Sequence, residues 1–257
     1  MPIDPEVPAA ALLETWQHLL AGVPDGWTRA EPGALAAVTG VDMPTLNGVW
    51  VESVDVDAEM VADLLDQVAA TGLRHCLQVR PDCADHVTDL AAARGMTRVE
   101  QLIPLMVLED SSQIGAALTS DGLVIRELVP AEAHLHARVA AVGFEAPLEA
   151  FLQLMTPSLL AIPGLHCYFG EVAGQAVTTG LGITLGSYVA IFNIATPPAY
   201  RRRGYGAAVT ARAVADGLAA GAKWAWLQSS EWGYPVYERL GFRTAEGWSC
   251  WLSAAAT

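Results

Sequence analysis

The sequence is poor in basic residues. Its 257 residues include 14 Lys and Arg against 28 Asp and Glu, which gives a formal net charge of −14 at pH 7. A chain this acidic repels the phosphate backbone of nucleic acids, so we expect no nucleic-acid partner. We interpret the acidic surface mainly as a source of solubility, and attraction of cationic amines is the alternative interpretation.

Long apolar runs are also lacking, although 53% of the residues are hydrophobic. No run reaches the roughly 18 residues of a membrane span, and residues 1–6 lack the basic stretch of a signal peptide. Paired C-x-x-C spacings are absent as well, which predicts reduced thiols and no zinc site. We therefore expect a cytoplasmic protein with no membrane partner and no metal. The four cysteines are Cys76, Cys83, Cys167 and Cys250.

The basic residues that are present concentrate in one turn. Three arginines at 201–203 are followed by Gly204 and Gly206, after an apolar run at 188–195 and before a helical pattern at 207–220. The N–H groups in the first turn of a helix have no acceptor within the helix and carry partial positive charge. Because glycine also lets a pyrophosphate approach the backbone, this order of strand, turn and helix predicts a phosphate-binding site.

Three linked motifs resemble one protein family. Arg201-x-x-Gly204-x-Gly206 resembles the Q/R-x-x-G-x-G/A signature of the GNAT superfamily of acyl-CoA-dependent N-acyltransferases. The segment 194–197 resembles the end of that family's acetyl-CoA-binding strand, and 237–242 resembles its Y-x-x-x-G-F segment. The three signals lie within residues 168–252. The resemblance implies an α/β fold of GNAT type, with a mixed central sheet flanked by helices.

The resemblance also implies a reaction and a site. Acetyl-CoA would be the acyl donor, and the amine of a small molecule would attack it directly in a ternary complex. Tyr237 would act as the general acid toward the CoA sulfur, and packing beside Phe242 is the alternative role for it. We expect at least one arginine to contact a cofactor phosphate. The implied cofactor-binding residues are Ile194, Ala195, Thr196, Arg201, Arg202, Arg203, Gly204, Tyr205, Gly206, Ala207 and Ser230, of which Ser230 could instead cap a helix.

A general base is missing where many family members carry one. Residues 177–195 contain no carboxylate. Glu145, Glu149 and His166 are the candidate substitutes, and each is more readily explained as structural. A water chain or an amine that arrives neutral would also suffice. The missing carboxylate favours one alternative of a different class, a non-catalytic acyl-CoA-binding sensor.

Aromatic residues cluster near the C-terminal strands, between residues 224 and 251. We expect most of them in the core, and one or two would suit the wall of a pocket for an apolar or aromatic amine.

A partial internal repeat, taken together with the family resemblance, indicates a tandem arrangement. Residues 122–257 are predicted to be the catalytic domain, and residues 1–115 a smaller, degenerate GNAT-like domain. The comparison rests on residues 72–80, which resemble 221–229 and are likewise followed by a helix. The first copy has no R-x-x-G-x-G equivalent, so we expect it to lack a CoA site. Chance similarity between two common strand–helix units is the alternative, and association into a homodimer is left open.

Hydrophobic periodicity predicts the elements. Helices are expected at 8–21, 57–70, 82–94, 130–142, 145–160 and 207–220, with a short one that opens at 229–231 and closes at 237–242. Strands are expected at 34–40, 48–54, 75–79, 102–108, 123–128, 166–172, 176–184, 188–195 and 221–228.

Overall fold

The computed structural model describes residues 2–83, 85–118 and 120–254. The elements of its first half are α1 (Glu6–Leu20), β1 (Trp27–Glu31), β2 (Ala34–Val38), β3 (Asn47–Val51), α2 (Ala58–Ala69), β4 (Cys76–Val79), α3 (Asp85–Ala93), β5 (Thr97–Arg98) and β6 (Ile103–Leu108). Those of its second half are α4 (Ile114–Ala117), β7 (Leu123–Glu127), α5 (Ala133–Phe144), α6 (Leu148–Leu154), α7 (Pro157–Leu160), β8 (Leu165–Val172), β9 (Gln175–Leu185), β10 (Tyr188–Ala195), α8 (Tyr205–Ala219), β11 (Trp224–Gln228), α9 (Tyr234–Arg239) and β12 (Arg243–Leu252).

Each predicted element has a counterpart in the structure, and one predicted helix is split into two. The predicted helix at 145–160 is two short helices, α6 and α7, because a new helix starts at Pro157. The hydroxyl of Thr156 accepts a hydrogen bond from the N–H of Leu159 at 3.1 Å and so caps α7. Proline at the first helical position suits that start, since it has no N–H to leave unpaired. The pattern did not predict β1, β5, α4 or β12.

The chain forms two compact units, which are described separately. One contains Met106–Thr244, and the other contains Asp4–Leu105 and resumes at Ala245. These boundaries differ from the predicted 1–115 and 122–257 at the C-terminal end. The reason is that Ser249–Leu252 pairs antiparallel with Cys76–Val79. The division into a degenerate and a catalytic copy stays a prediction.

The unit that begins at Asp4 contains a sheet in the order β1-β2-β3-β4-β12. The β3–β4 pair is parallel, and the other pairs are antiparallel. Helix α2 starts where the Asp57 carboxylate accepts a hydrogen bond from the N–H of Glu59 at 2.9 Å and so caps the helix. Its apolar residues recur at helical spacing and join one core cluster with residues of β2, β3 and β4.

The unit that contains Met106–Thr244 has a sheet in the order β11-β10-β9-β8-β7, in which only β10 and β11 are parallel. Gly180 and Gly182 of β9 lack side chains where α8 approaches. A Cβ on Gly180 would lie 2.8 Å from Val209, and one on Gly182 would lie 3.1 Å from Ala213. Since successive residues of a strand face opposite sides, Thr179 points away from α8 and toward α5. The sheet therefore lies between these two helices.

His136 of α5 is a fully buried core residue. Its Nδ1 lies 2.7 Å from the hydroxyl of Thr179, and that hydroxyl donates to the carbonyl of Tyr168 at 2.8 Å. Thr179 must therefore accept from the imidazole, which places the proton on Nδ1. Nε2 is buried and has no hydrogen-bond partner among the described residues. Burial lowers the pKa of His136 to about 3, so the ring is neutral at pH 7.

No helix in the described part of the chain combines the length and the apolar character needed to cross a bilayer.

His136→Leu should flatten the dependence of stability on pH. The pKa of the imidazole is about 3 when folded and ~6.5 when unfolded, so the unfolded state binds more protons between these values. The contribution is complete above pH ~6.5 and is lost as the pH falls toward ~3. Between pH 7 and pH 5 the wild type should lose about 2 kcal/mol of unfolding free energy that the variant keeps. Urea denaturation measures this, with the exposed His134→Leu as control. Equal losses in wild type and His136→Leu would contradict the assignment.

Candidate functional site

Strand β10 extends beyond the residues that pair with its parallel neighbour, β11. It pairs with β11 over Tyr188–Ala190, and its last residues, 191–195, extend beyond that pairing. On the other side, β10 pairs with β9 through a bulge: Phe192 is opposite Leu181, but Ala195 is opposite Thr179, so β10 carries one extra residue. Asn193 within the bulge has a φ of +49°. A bulge re-aims the backbone groups of a strand, so the end of β10 can present N–H groups to a ligand.

Two hydroxyls hold the strand end after the bulge. The buried Thr178 of β9 donates to the carbonyl of Ala195 at 3.0 Å, and its oxygen lies 3.1 Å from the hydroxyl of Thr196. Thr196 in turn lies beside the first turn of α8, where a Cβ on Gly206 would be 3.4 Å from its oxygen. This chain of contacts sets the distance between the end of β10 and the start of α8.

The turn before α8 has the backbone of an anion-binding site. Arg202 and Gly204 both have left-handed φ angles, of 62° and 81°, and α8 begins at Tyr205. The N–H of Ala208 bonds to the carbonyl of Gly204 at 2.9 Å, and the N–H groups before it lie in the unpaired first turn. The concavity is open, since a Cβ on Gly204 would have no neighbour nearer than the Ser120 hydroxyl at 3.8 Å. Backbone N–H groups around such a hollow can hold a phosphate.

The three arginines of this turn have separate surroundings. The guanidinium of Arg201 donates to the carbonyls of Thr196, at 3.2 Å, and Gly143, at 2.7 Å, and pairs with Glu145 at 3.1 Å. Arg201 therefore fastens the end of α5 to the end of β10.

Arg203 donates to the carbonyl of Ala199 and lies over the ring of Tyr200. Arg202 is exposed and has no hydrogen-bond or ion-pair partner among the described residues, so it is the arginine best able to reach a phosphate.

Tyr237, the predicted general acid, lies on α9. Its ring packs edge-on against Phe242, with 6.0 Å between ring centroids, and a Cβ on Gly233 would come within 2.8 Å of it. No described residue accepts a hydrogen bond from its hydroxyl. Burial raises the pKa of Tyr237 above its ordinary value near ~10, so the phenol keeps its proton at neutral pH.

Ser230 caps the turn that leads into α9. Its hydroxyl accepts from the N–H of Gly233 at 3.2 Å, and its carbonyl accepts from the N–H of Tyr234 at 3.0 Å. Helix α9 itself begins after Gly233 and has no side-chain cap, so the Ser230 hydroxyl stabilises the preceding turn rather than the helix start. The Ser229 and Ser230 hydroxyls would both lie within 3.4 Å of a Cβ on Gly233, so both stand near the Tyr237 ring.

The core brings parts of the predicted site together. Ile194, Ala207 and Tyr237 are half-buried residues that pack against one cluster, which also contains residues of β11 and α8. Tyr205 is only 6% exposed, so its backbone N–H rather than its ring is available to a ligand. Thr178, Asn193 and Gly233 were not among the predicted residues. A bulge and a close glycine contact leave no pattern in a single sequence, and only the polar Thr178 in an apolar strand was a visible signal.

The substitutes for a general base lie in less suitable places. Glu145 is paired with Arg201, and Glu149 is on the exposed face of α6. His166 binds the carboxylate of Glu127 at 2.7 Å. It is opposite Gly182, which is itself opposite Ile191 of β10, so His166 is two strands away from β10.

Residues 137–242 match the family model described as the acetyltransferase (GNAT) family. A comparison with curated proteins finds no relative of significant similarity. Among solved structures, a GCN5-related N-acetyltransferase from Kribbella flavida is 17% identical, with a TM-score of 0.68, over 100% of this chain and 97% of that one. One from Sphaerobacter thermophilus is 15% identical, with a TM-score of 0.62, over 88% and 80%.

A tandem GNAT protein from the clavulanic acid biosynthesis pathway, solved without AcCoA, is 12% identical with a TM-score of 0.57. The match covers 100% of this chain and 98% of that one. At these identities the likeness shows the fold. The predicted α/β fold of tandem GNAT type is confirmed over the whole chain.

Thr178→Val should destabilise the protein, because it leaves the carbonyl of Ala195 buried without its donor. We expect a loss of about 1–3 kcal/mol in the free energy of unfolding, measured in urea. Thr178→Ser keeps the hydroxyl and should retain most of that stability. If the serine variant loses as much as the valine variant, the methyl group rather than the hydrogen bond is what matters.

Proposed function

Residues 137–242 form a domain of the GNAT acetyltransferase family, and we propose that with it this chain transfers an acetyl group from acetyl-CoA to the amine of a small molecule. Acetyl-CoA is the acyl donor that this family uses. The observation that carries the proposal is the open hollow before α8, which follows the bulged end of β10. Ile194 of β10, Ala207 of α8 and the protonated Tyr237 pack against one hydrophobic cluster.

The residues present fit this donor. The N–H groups of the Gly204–Ala207 turn would hold its diphosphate, and Arg202 would contact a phosphate oxygen from the rim. The strand end at 194–196 would lie along the pantetheine arm. An N–H of β10 near Ile194, freed from the ladder by the bulge, would polarise the acetyl carbonyl.

Acetyl-CoA supplies an acyl group activated as a thioester. In the transfer, the amine nitrogen forms a bond to the acetyl carbon, the bond from that carbon to sulfur breaks, and the amine loses one proton. Tyr237 would give its hydroxyl proton to the leaving sulfur.

Direct attack on the donor is supported by the state of Cys167. This thiol is buried, and burial raises its pKa, so it is a poor candidate for an acyl-carrying nucleophile. The free cysteines also support a cytoplasmic location. We further propose that the unit beginning at Asp4 is a degenerate copy without a donor site.

A second function is a sensor that binds acyl-CoA without turnover. The observation that favours it is the absence of a carboxylate from residues 177–195. Incubation of the protein with acetyl-CoA and a panel of primary amines separates the two, with products identified by mass spectrometry. Acetylated amine above the level of a protein-free reaction supports the enzyme. Donor binding without any product supports the sensor.

Gly204→Glu should weaken acetyl-CoA binding about 100-fold. The added carboxylate would stand in the hollow and repel the diphosphate. Because Gly204 has a φ of 81°, Gly204→Asn is the matched control: asparagine tolerates this conformation and adds no charge. Calorimetric titration should show less than about a tenfold loss for the asparagine variant. Equal affinities in wild type and Gly204→Glu would remove the phosphate-binding assignment.

Tyr237→Phe should lower kcat about 100-fold and leave the Kd for acetyl-CoA unchanged, since the lost hydroxyl has no partner among the described residues. Tyr234→Phe on the same helix is the control, because the Tyr234 hydroxyl lies near Thr244. Steady-state kinetics on any accepted amine measures both variants. An unaltered kcat in Tyr237→Phe would exclude it as the general acid.

A further inference from the structure

Two exposed aromatic side chains lie next to residues of the candidate site, on different elements. Phe144 at the end of α5 is 46% exposed, and Trp232 in the loop before α9 is 88% exposed. When an exposed aromatic ring binds an apolar ligand, the face of the ring is removed from water, which lowers the free energy. A single exposed apolar side chain is common on protein surfaces and does not indicate a binding site. The argument therefore depends on where these two rings lie.

Each ring is next to a glycine that touches the candidate site. Phe144 follows Gly143, where a Cβ would lie 2.9 Å from Ala195 and 3.1 Å from the N–H nitrogen of Thr196. The carbonyl of Gly143 also accepts from Arg201. The last turn of α5 is therefore packed directly on the end of β10, and the next side chain is a half-exposed phenyl ring.

Trp232 is also next to a glycine that contacts a residue of the candidate site. It precedes Gly233, where a Cβ would lie 2.8 Å from the Tyr237 ring and 3.4 Å from the Ser230 hydroxyl. Gly143 and Gly233 let the backbone approach the candidate site closely. In each case the adjacent residue in the chain is an exposed aromatic one.

Phe144 is a fixed surface rather than a mobile one. Its ring stacks on the buried Phe151 of α6, with 5.7 Å between centroids and 8° between planes. Only its outer part is free, and a rigid aromatic face binds at low cost in side-chain entropy.

The strands of the candidate acetyl site offer a cationic amine no carboxylate, since residues 177–195 contain none. Glu145 is held by Arg201, and Glu149 of α6 is exposed to solvent. Glu231 is exposed beside Trp232 and is the acidic residue nearest to it in sequence. An amine that is uncharged at neutral pH needs neither an ion-pair partner nor prior deprotonation.

We propose that the acceptor is an aromatic amine that is uncharged at neutral pH, bound through contacts with the rings of Phe144 and Trp232. This rests on the proposed acetyl transfer and names its substrate class. The nitrogen lone pair of such an amine is free at pH 7, so it attacks the acetyl carbon first and loses its proton to water afterward.

The test compares aniline with benzylamine, which has a similar apolar body but is an ammonium ion at pH 7. The kcat/KM for aniline should exceed that for benzylamine at least tenfold at pH 7. From pH 6 to pH 8.5 the aniline profile should be flat, whereas the benzylamine profile should rise with the fraction of free base. A preference for benzylamine at pH 7 would overturn the proposal.

Variants locate the binding surface. Phe144→Ser and Trp232→Ser should each raise the KM for aniline about tenfold and leave the Kd for acetyl-CoA unchanged. Val124→Ser, at an exposed position on β7, is the matched control and should change neither value. Because the Phe144 ring stacks on Phe151, the Phe144→Ser variant could also be less stable, so its unfolding midpoint is measured as well. The Trp232→Ser variant removes an exposed ring and gives the same test without this loss of packing. An unchanged KM in both variants would contradict the proposal.

A binding measurement with aniline tests the aromatic subsite independently of the proposed acetyl transfer. Saturation-transfer NMR of aniline with the protein and CoA needs no turnover. If no amine is acetylated, the enzyme proposal fails. Loss of aniline binding in both serine variants would still support the aromatic subsite, and binding that both variants keep would overturn it.

Discussion

The departure of β10 from its neighbours is the constraint on which the site depends. The strand leaves its parallel pairing with β11 after Ala190, and the bulge at Asn193 breaks its register with β9. A strand end with free backbone groups would normally fray. Here Thr178 holds it through the carbonyl of Ala195. The buried hydroxyl replaces the ladder bonds that the bulge removes, so the strand end stays ordered while its N–H groups remain available.

The arginines in the turn before α8 have different roles, one in holding the fold and one in reaching a ligand. Arg201 is bound to two carbonyls and to Glu145, so it joins α5 to the end of β10. Arg202 alone of the three is without a protein partner in the described part of the chain. The N–H groups of the helix start need no particular side chain, which explains how a glycine-rich turn can recognise phosphate while one neighbouring arginine serves packing.

The sequence predicted the elements with strong periodicity and the turn with a strong motif. The helix Tyr205–Ala219 and the strand Tyr188–Ala195 lie where apolar spacing indicated them. The strand Arg243–Leu252 was missed because six of its ten residues are only partly buried and one is exposed, so buried and exposed residues do not alternate regularly along it. The roles of Thr178 and Gly233 depend on contacts between residues distant in sequence. No local pattern reports such contacts, so they could not be predicted from one chain.

Hydrogen exchange of the protein with and without acetyl-CoA tests the central claim most directly. The account predicts slower exchange at the amides of residues 193–196 and 202–207, which are the end of β10 and the turn into α8. It predicts no slowing in the unit that begins at Asp4. Unchanged exchange at both segments with saturating acetyl-CoA, or slowing confined to residues 4–105, would contradict it.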